Sequence, residues 1–322
     1  MAIITFDDYI DTYSKLKQRG VRFLFSKCNL SGVSRTKSTF DRTDVQSSNW
    51  WIIPMVNERW NKKISGNKDV NYRLYLLNEL LHNQSGLKLL SLGSGTCNHE
   101  LELAEYPQFE QIICVDFAQS RLREAETLAK KRNLAHVKFI CSTVKNYQFP
   151  EDYFDVILFN MSLHHFRQVE QLLKYKVWSS LNRNGKLIIN EYVGPNRLQF
   201  PKNQLRAINE ALRFIPEEYR KRYKTNLTKN RYYGSGLIRM VLADPSECVD
   251  SESILPALHN NFKTIIEKPY GGNILVGVLK DISHHFVKLN SKKEEILKKL
   301  FLFEDEYLKN NPSDFVFGFY EK

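Results

Sequence analysis

Residues 89–100 read LLSLGSGTCNHE, and how that stretch folds decides the rest of the chain. An apolar run ends at Leu92, a glycine-bearing turn follows, and the polar residues after it start a helix. An apolar strand of this kind needs cover on both faces. The chain beyond supplies it. Short apolar runs (KLLSL, QIICVDF, HVKFIC, FDVILFN, GKLIINEY) alternate with amphipathic segments such as RLREAETLAKKRN and QVEQLLKYKVWSSLN. That rhythm predicts a doubly wound α/β core with a parallel sheet. FKTIIEKPY (262–270) adds a sixth strand, and DFVFGFYEK a last one at 314–321, for a seven-stranded sheet. GGNILVGVLKDISHHF between them has helical spacing rather than alternation, and Ser291 with Glu294 forms a capping box for a further helix.

The flanks read differently. Residues 6–18 have helical spacing, a polar, loop-like stretch follows (SGVSRTKSTFDRTDVQSSN), and Asp69 is placed to cap a helix carrying Leu74, Leu77, Leu80 and Leu81 on one face. After the fifth strand, QLRAINEALRF and PEEYRKRY read as two helices, the second with Pro216 in its first turn. The expected organisation is a helical N-terminal cap (1–85), a Rossmann-like core (86–195), a helical insertion (196–256) and a segment completing the sheet (257–322).

Composition narrows the function. The chain has 322 residues and a net charge of +11. Residues 86–195 hold 13 basic and 12 acidic side chains, whereas residues 196–240 hold 11 basic and 3 acidic. The excess is therefore one local basic surface, suited to phosphates, anionic sugars, nucleic acid or an anionic membrane face; a solvated helix face is the alternative. No apolar run approaches the roughly 20 residues of a spanning helix. The opening MAIITFDDYID turns acidic too soon for a secretory leader. The five cysteines (Cys28, Cys97, Cys114, Cys141, Cys248) form no CxxC pair. That speaks against a zinc site or a disulfide framework, so no metal is expected, and the expected setting is cytoplasmic.

Open α/β sheets bind ligands beyond the carboxyl ends of their strands, where the strand order reverses. Gly93 and Gly95 let backbone approach a ligand closely, and Asp116 at the end of the second strand can accept from two ribose hydroxyls. A dinucleotide site would want a third glycine where Asn98 stands, and a phosphate loop would need G-K-[ST], which is absent. The fourth strand ends in Asn160-Met161-Ser162-Leu163-His164-His165, placing polar groups near a bound ligand.

With these pieces together, LLSLGSGTCNHELELA, IICVDFAQSRLREAETLA, FDVILFNMSLHHF and LNRNGKLIINEYVGP, the sequence resembles class I S-adenosylmethionine-dependent methyltransferases. More narrowly it resembles the type 11/12 group found with bacterial polysaccharide and secondary-metabolite genes, through EYVGPNRLQFP, DPSECVDSESILPALHNNF, YGGNILVGVL and PSDFVFGFYEK. The resemblance implies S-adenosylmethionine as cofactor. Gly93, Ser94 and Gly95 would lie against its methionine part, Asp116 on its ribose, Phe117 on its adenine, and Asn160 and Met161 beside the sulfonium. Thr143 stands where such enzymes carry an acid facing the adenine, and Cys97 where the turn has a third glycine. Glu100 would reach the cofactor's ammonium or form a salt bridge on its helix.

Methyl transfer to oxygen or nitrogen also needs a proton acceptor, and His164 or His165 fits by position and by the ordinary histidine pKa. Helix capping or packing is their alternative role. Glu191, closing the fifth strand, would orient a histidine or bind the acceptor. Tyr192 ends the same strand. Trp51, with Trp50 and Trp60, would form an aromatic lid or fasten a helix to the core. Arg220, in the basic insertion, would face an anionic acceptor. His284 and His285 are expected to be packing or solvated residues. The expected acceptor is a small molecule or glycan. An RNA target, and a binding module that has lost transfer chemistry, are the alternatives; the absent N/D-P-P-Y/F motif after the fourth strand speaks against base methylation.

Overall fold

The structure, a computed structural model, describes residues 2–19 and 48–322. Cys28 and most of the polar stretch 31–49 lie outside the described residues. The chain divides into two compact units. One comprises Met1–Asp69, Gly194–Glu247 and Pro269–Phe315; the other comprises Val70–Val193, Cys248–Lys268 and Val316–Lys322.

The second unit is built on the sheet. Its strands are β1 (Leu87–Leu92), β2 (Phe109–Asp116), β3 (Val137–Cys141), β4 (Phe154–Asn160), β5 (Leu181–Tyr192), β6 (Lys263–Gly271) and β7 (Phe315–Glu321), in the order β3-β2-β1-β4-β5-β7-β6. β1 is parallel to both β2 and β4, β2 to β3, and β4 to β5. The central strands are continuously apolar because both faces are covered: Leu90, Leu92, Val115, Ile157, Phe159 and Ile189 are all buried in one cluster. β3, at one end of the order, is half exposed, as the pattern VKFIC with its lysine suggests. From β1 the chain steps outward to β2 and β3, then returns to pair β4 against the other edge of β1. The reversal therefore falls between β1 and β4, directly beyond the Gly93 turn.

The other unit is helical, with helices Phe6–Arg19, Pro54–Ser65, Lys202–Leu212, Leu237–Ala243, Leu275–Leu279 and Ser291–Leu308. Trp50 packs edge-on against Trp60 (centroids 4.6 Å apart) and at a tilt against Phe315 (5.2 Å), which is an anchoring role. Trp51 is exposed. Glu304 is fully buried, where its carboxylate accepts from the backbone N–H groups of Gly272, Ile274 and Leu275 and from Arg59, capping the helix Leu275–Leu279.

Several local expectations shift. Asn71, rather than Asp69, caps the helix Tyr72–Tyr75, its side chain accepting from Arg73 N and Leu74 N. Asn290 takes the cap expected of Ser291 by accepting from Lys293 N. GGNILVGVLKDISHHF forms two helical pieces, Leu275–Leu279 and Ser283–Phe286, separated at Asp281, where φ is 67°. β5 starts at Leu181, ahead of the expected GKLIINEY.

The larger correction is PEEYRKRY, which forms only a single turn at Glu217–Tyr219. The chain after it doubles back, with Lys229 N donating to Arg220 O and Arg222 N to Leu227 O. The cause is tertiary. Arg222 is drawn inward onto Asp7 (3.3 Å) and Asp281 (2.6 Å). Lys229 is fully buried, with Nζ donating to the carbonyls of Gly277, Val278 and Lys280. Partners fixed elsewhere in the fold override local helix propensity.

Candidate active site

The turn after β1 is pinned from three sides. Gly93 N donates to Val115 O, Cys97 N to Ser94 O, and Gly95 N to the Asp116 carboxylate at 2.9 Å. Gly93 and Gly95 adopt φ of 73° and 58°, open to glycine at no steric cost. A Cβ on Gly93 would also stand 2.7 Å from Ser162 Cβ, so the turn accepts the end of β4 only because that position is bare. Cys97 holds a left-handed conformation too (φ 54°), at a strain of about 1 kcal/mol that a glycine would not carry. Its buried thiol lies 3.3 Å from Ser94 Oγ.

Asp116 is buried at the carboxyl end of β2. One carboxylate oxygen accepts from Gly95 N and the other from Ala118 N at 2.7 Å. Each oxygen keeps a lone pair, so the group is held rigid beside the glycine turn with acceptor capacity for a diol. Phe117 follows it, half-buried. Thr143 Oγ1 accepts from Asn146 N at 3.3 Å, so its hydroxyl serves a local turn. Glu100 is buried against β1, taking a 2.6 Å bond from Ser91 Oγ, and burial raises its pKa. Its side-chain partner is thus on β1 rather than on its own helix, where a salt bridge was one of the two alternatives.

The ends of β4 and β5 form the other wall. Met161 leaves β4 exposed and with φ of 49°, a strained conformation for a non-glycine residue. Ser162 Oγ donates to Leu92 O at 2.7 Å, tying this wall to β1. Glu191 is fully buried at the end of β5. Its Oε1 accepts from the backbone N–H groups of Ser162 and Leu163, and its Oε2 accepts from Tyr192 N at 3.2 Å. The same Oε2 lies 2.7 Å from His164 Nδ1. A buried carboxylate at that distance fixes the proton on Nδ1 and makes Nε2 the basic nitrogen of the ring. Of the two expected histidines, His164 is therefore the buried one, oriented by Glu191. His165 is half-buried and stacks on it, centroids 4.3 Å apart. Tyr192 is buried, its ring edge-on to His164 at 6.3 Å.

Three residues of this site, Tyr72, His99 and Asn190, carry no sequence motif. His99, in the first turn after the glycine bend, has Nδ1 2.6 Å from Tyr72 OH and 2.9 Å from Asn160 Nδ2. Asn160 Oδ1 in turn accepts from Asn190 Nδ2 at 2.8 Å. The network joins the start of the unit, the turn helix and the ends of β4 and β5. Two donors on Nδ1 place the ring proton on Nε2. Burial, aided by the Arg73 charge, lowers the His99 pKa to about 4, so the ring is neutral at pH 7. The only available signal for His99 was its place one residue into the helix that follows the turn.

Trp51 and Arg220 belong to the helical unit. The Arg220 guanidinium bonds to Asn230 Oδ1 at 3.2 Å. His284, with Nδ1 3.0 Å from Ser48 Oγ, and His285, with Nε2 2.9 Å from Lys221 O, are partnered within that unit as well.

The strand order, the reversal beside a glycine turn and the acid closing β2 form the arrangement that the resemblance to class I S-adenosylmethionine-dependent methyltransferases implies. Residues 90–189 match the family model of the methyltransferase domain. The chain is similar to the uncharacterised methyltransferase YcgJ of Bacillus subtilis, 26% identical over 108 residues that cover 34% of this chain and 42% of that one. It is similar also to a demethylmenaquinone methyltransferase of a Geobacillus species, 28% identical over 145 residues, covering 44% of this chain and 61% of the relative. It thus spans less than two thirds of either relative's length. Among solved structures, phosphoethanolamine N-methyltransferase 2 of Haemonchus contortus, in complex with S-adenosyl-L-methionine, shares the fold at a TM-score of 0.51, with 15% identity, 92% of this chain and 60% of that one covered. No helix among the described residues is long and apolar enough to cross a membrane.

Proposed function

We propose that the chain transfers a methyl group from S-adenosylmethionine to a hydroxyl or amine of a small-molecule or glycan acceptor, with His164 taking the acceptor's proton. The observation that carries this reading is the buried pair of His164 Nδ1 and Glu191 Oε2 at 2.7 Å, at the strand ends beside the glycine turn. The bound cofactor supplies an electrophilic methyl, so the protein's tasks are to align the acceptor and accept its proton. Gly93, Ser94 and Gly95 lie along the methionine part, Asp116 holds the ribose, Phe117 and Thr143 border the adenine, and Asn160 and Met161 flank the sulfonium. Glu100, buried behind the turn, offers its carboxylate to the cofactor's ammonium. Glu191 positions His164 and stabilises the imidazolium once formed. His99, neutral, offers Nε2–H as a donor. Tyr192 lies on the acceptor side, and the basic charge of the insertion favours an anionic acceptor; a cytoplasmic setting and a biosynthetic role accompany this reading.

Incubation with methyl-labelled cofactor and a panel of hydroxyl, amine and phosphosugar acceptors tests it. His164→Ala should lower label transfer by about 10²–10⁴-fold while leaving S-adenosylhomocysteine affinity intact. Undiminished transfer by that variant would remove the proton-accepting role.

A further inference from the structure

The helix Phe6–Arg19 is inverted. It buries its carboxylates and shows its aromatic side chains to solvent. Asp7, Asp8 and Asp11 are buried. Asp7 accepts from Tyr233 N and Gly234 N and pairs with Arg222; Asp8 accepts from Gly236 N and pairs with Arg239 at 2.8 Å; Asp11 pairs with Lys280 at 2.7 Å. Phe6 and Tyr9, one turn apart, are 59% and 66% exposed. A helix serving only its own unit would place these groups the other way round.

The exposed face continues onto neighbouring chain. Ile238 N donates to Ile3 O and Leu237 N to Ala2 O, and the Phe6 ring meets Tyr233 at 5.6 Å. Ile3, Ile4, Ile238 and Leu242 extend it, all at least 46% exposed. Contiguous apolar surface of this kind marks a partner.

Charge says which partner. Residues 219–243 contain seven basic and no acidic side chains. Arg222, Lys229 and Arg239 are spent on internal partners, leaving Lys221, Lys224 and Arg231 exposed, the last over the Tyr233 ring at 5.1 Å. An apolar, aromatic face beside a cationic stretch of chain disfavours pairing with a second copy of itself. It matches a surface that is anionic outside and apolar beneath. We propose that this face docks the protein onto an anionic lipid bilayer, Ile3, Phe6, Ile238 and Leu242 entering the headgroup boundary and Lys224 and Arg231 meeting the lipid phosphates.

The test is sedimentation of the full chain with vesicles of phosphatidylcholine alone or with about one third phosphatidylglycerol, which gives the surface a negative potential. The expected result is binding to the anionic vesicles only, weakened by salt. Phe6→Ser with Ile238→Ser should reduce it about tenfold or more, and Lys224→Glu with Arg231→Glu comparably. All four side chains face solvent, so both variants should retain the wild-type circular-dichroism spectrum and urea midpoint, which report that the fold is intact. No binding to anionic vesicles, or equal binding by the Phe6/Ile238 variant, overturns the proposal. So does a wild-type dimer, seen in sedimentation velocity, that the same variant dissolves, since a second copy would then cover the face.

Discussion

Replacing Glu191 with glutamine changes one atom in a fully buried place. Oε1 receives two backbone N–H groups, from Ser162 and Leu163, and a glutamine oxygen can keep both. The other oxygen receives His164 Nδ1–H and Tyr192 N–H. An amide nitrogen there is itself a donor. The imidazole must move its proton to Nε2 so that Nδ1 can accept, and Tyr192 N–H loses its partner. The lost charge-assisted bond and the orphaned donor each cost roughly 1–3 kcal/mol, so the variant should be about 3 kcal/mol less stable, seen as a lower urea midpoint. With Nε2 protonated, His164 cannot take a proton, and methyl transfer should fall by about 10²–10⁴-fold with S-adenosylhomocysteine affinity unchanged. The sharpest assay needs no acceptor: nitrogen-15 correlation spectra of the His164 ring should show the Nδ1–H tautomer in the wild type and the Nε2–H tautomer in Glu191→Gln. An Nε2–H tautomer in the wild type would refute the reasoning.

Gly93→Ala puts a methyl 2.7 Å from Ser162 Cβ at a φ of 73°, and should cost about 1–3 kcal/mol and weaken S-adenosylhomocysteine binding in calorimetry. The His99 pKa is lowered to about 4 from an unfolded value of 6.5, so the unfolded state binds more protons in that interval and this group's stabilisation is lost as pH falls from about 6.5 to 4. The loss is of order 3 kcal/mol, and His99→Gln should flatten that limb of the urea-midpoint profile. Asp314 runs the opposite way: burial raises its pKa to about 7, so its contribution declines as pH rises from about 4 to 7, and Asp314→Asn should remove that slope. Asp7→Ala leaves Arg222 buried with Asp281 as its one carboxylate partner among the described residues, and should cost about 3–5 kcal/mol in chemical denaturation.

The sheet was legible because its central strands are apolar without interruption, a pattern that burial on both faces demands and loops rarely show. Glu191 was legible for a related reason: a carboxylate closing such a strand must find partners. The glycine turn and Asp116 stood out by type and spacing. The Tyr72–His99–Asn160–Asn190 network did not, because its members come from four separated segments and only the folded sheet brings them to one place. The end of PEEYRKRY was misread for the same kind of reason. Arg222 looks like a solvated cation in sequence, and its partner Asp7 lies 215 residues away. The caps at Asn71 and Asn290 moved by one or two residues, where several polar side chains compete for the same N–H groups.

Calorimetric titration with S-adenosylhomocysteine, run on the wild type and on Asp116→Ala, tests the cofactor cradle most directly. The account predicts saturable one-to-one binding by the wild type, weakened at least about a hundredfold when the two ribose hydroxyls lose their charged acceptor. Wild-type binding that survives Asp116→Ala undiminished, or a chain that ignores S-adenosylhomocysteine and binds a nicotinamide dinucleotide, would contradict it.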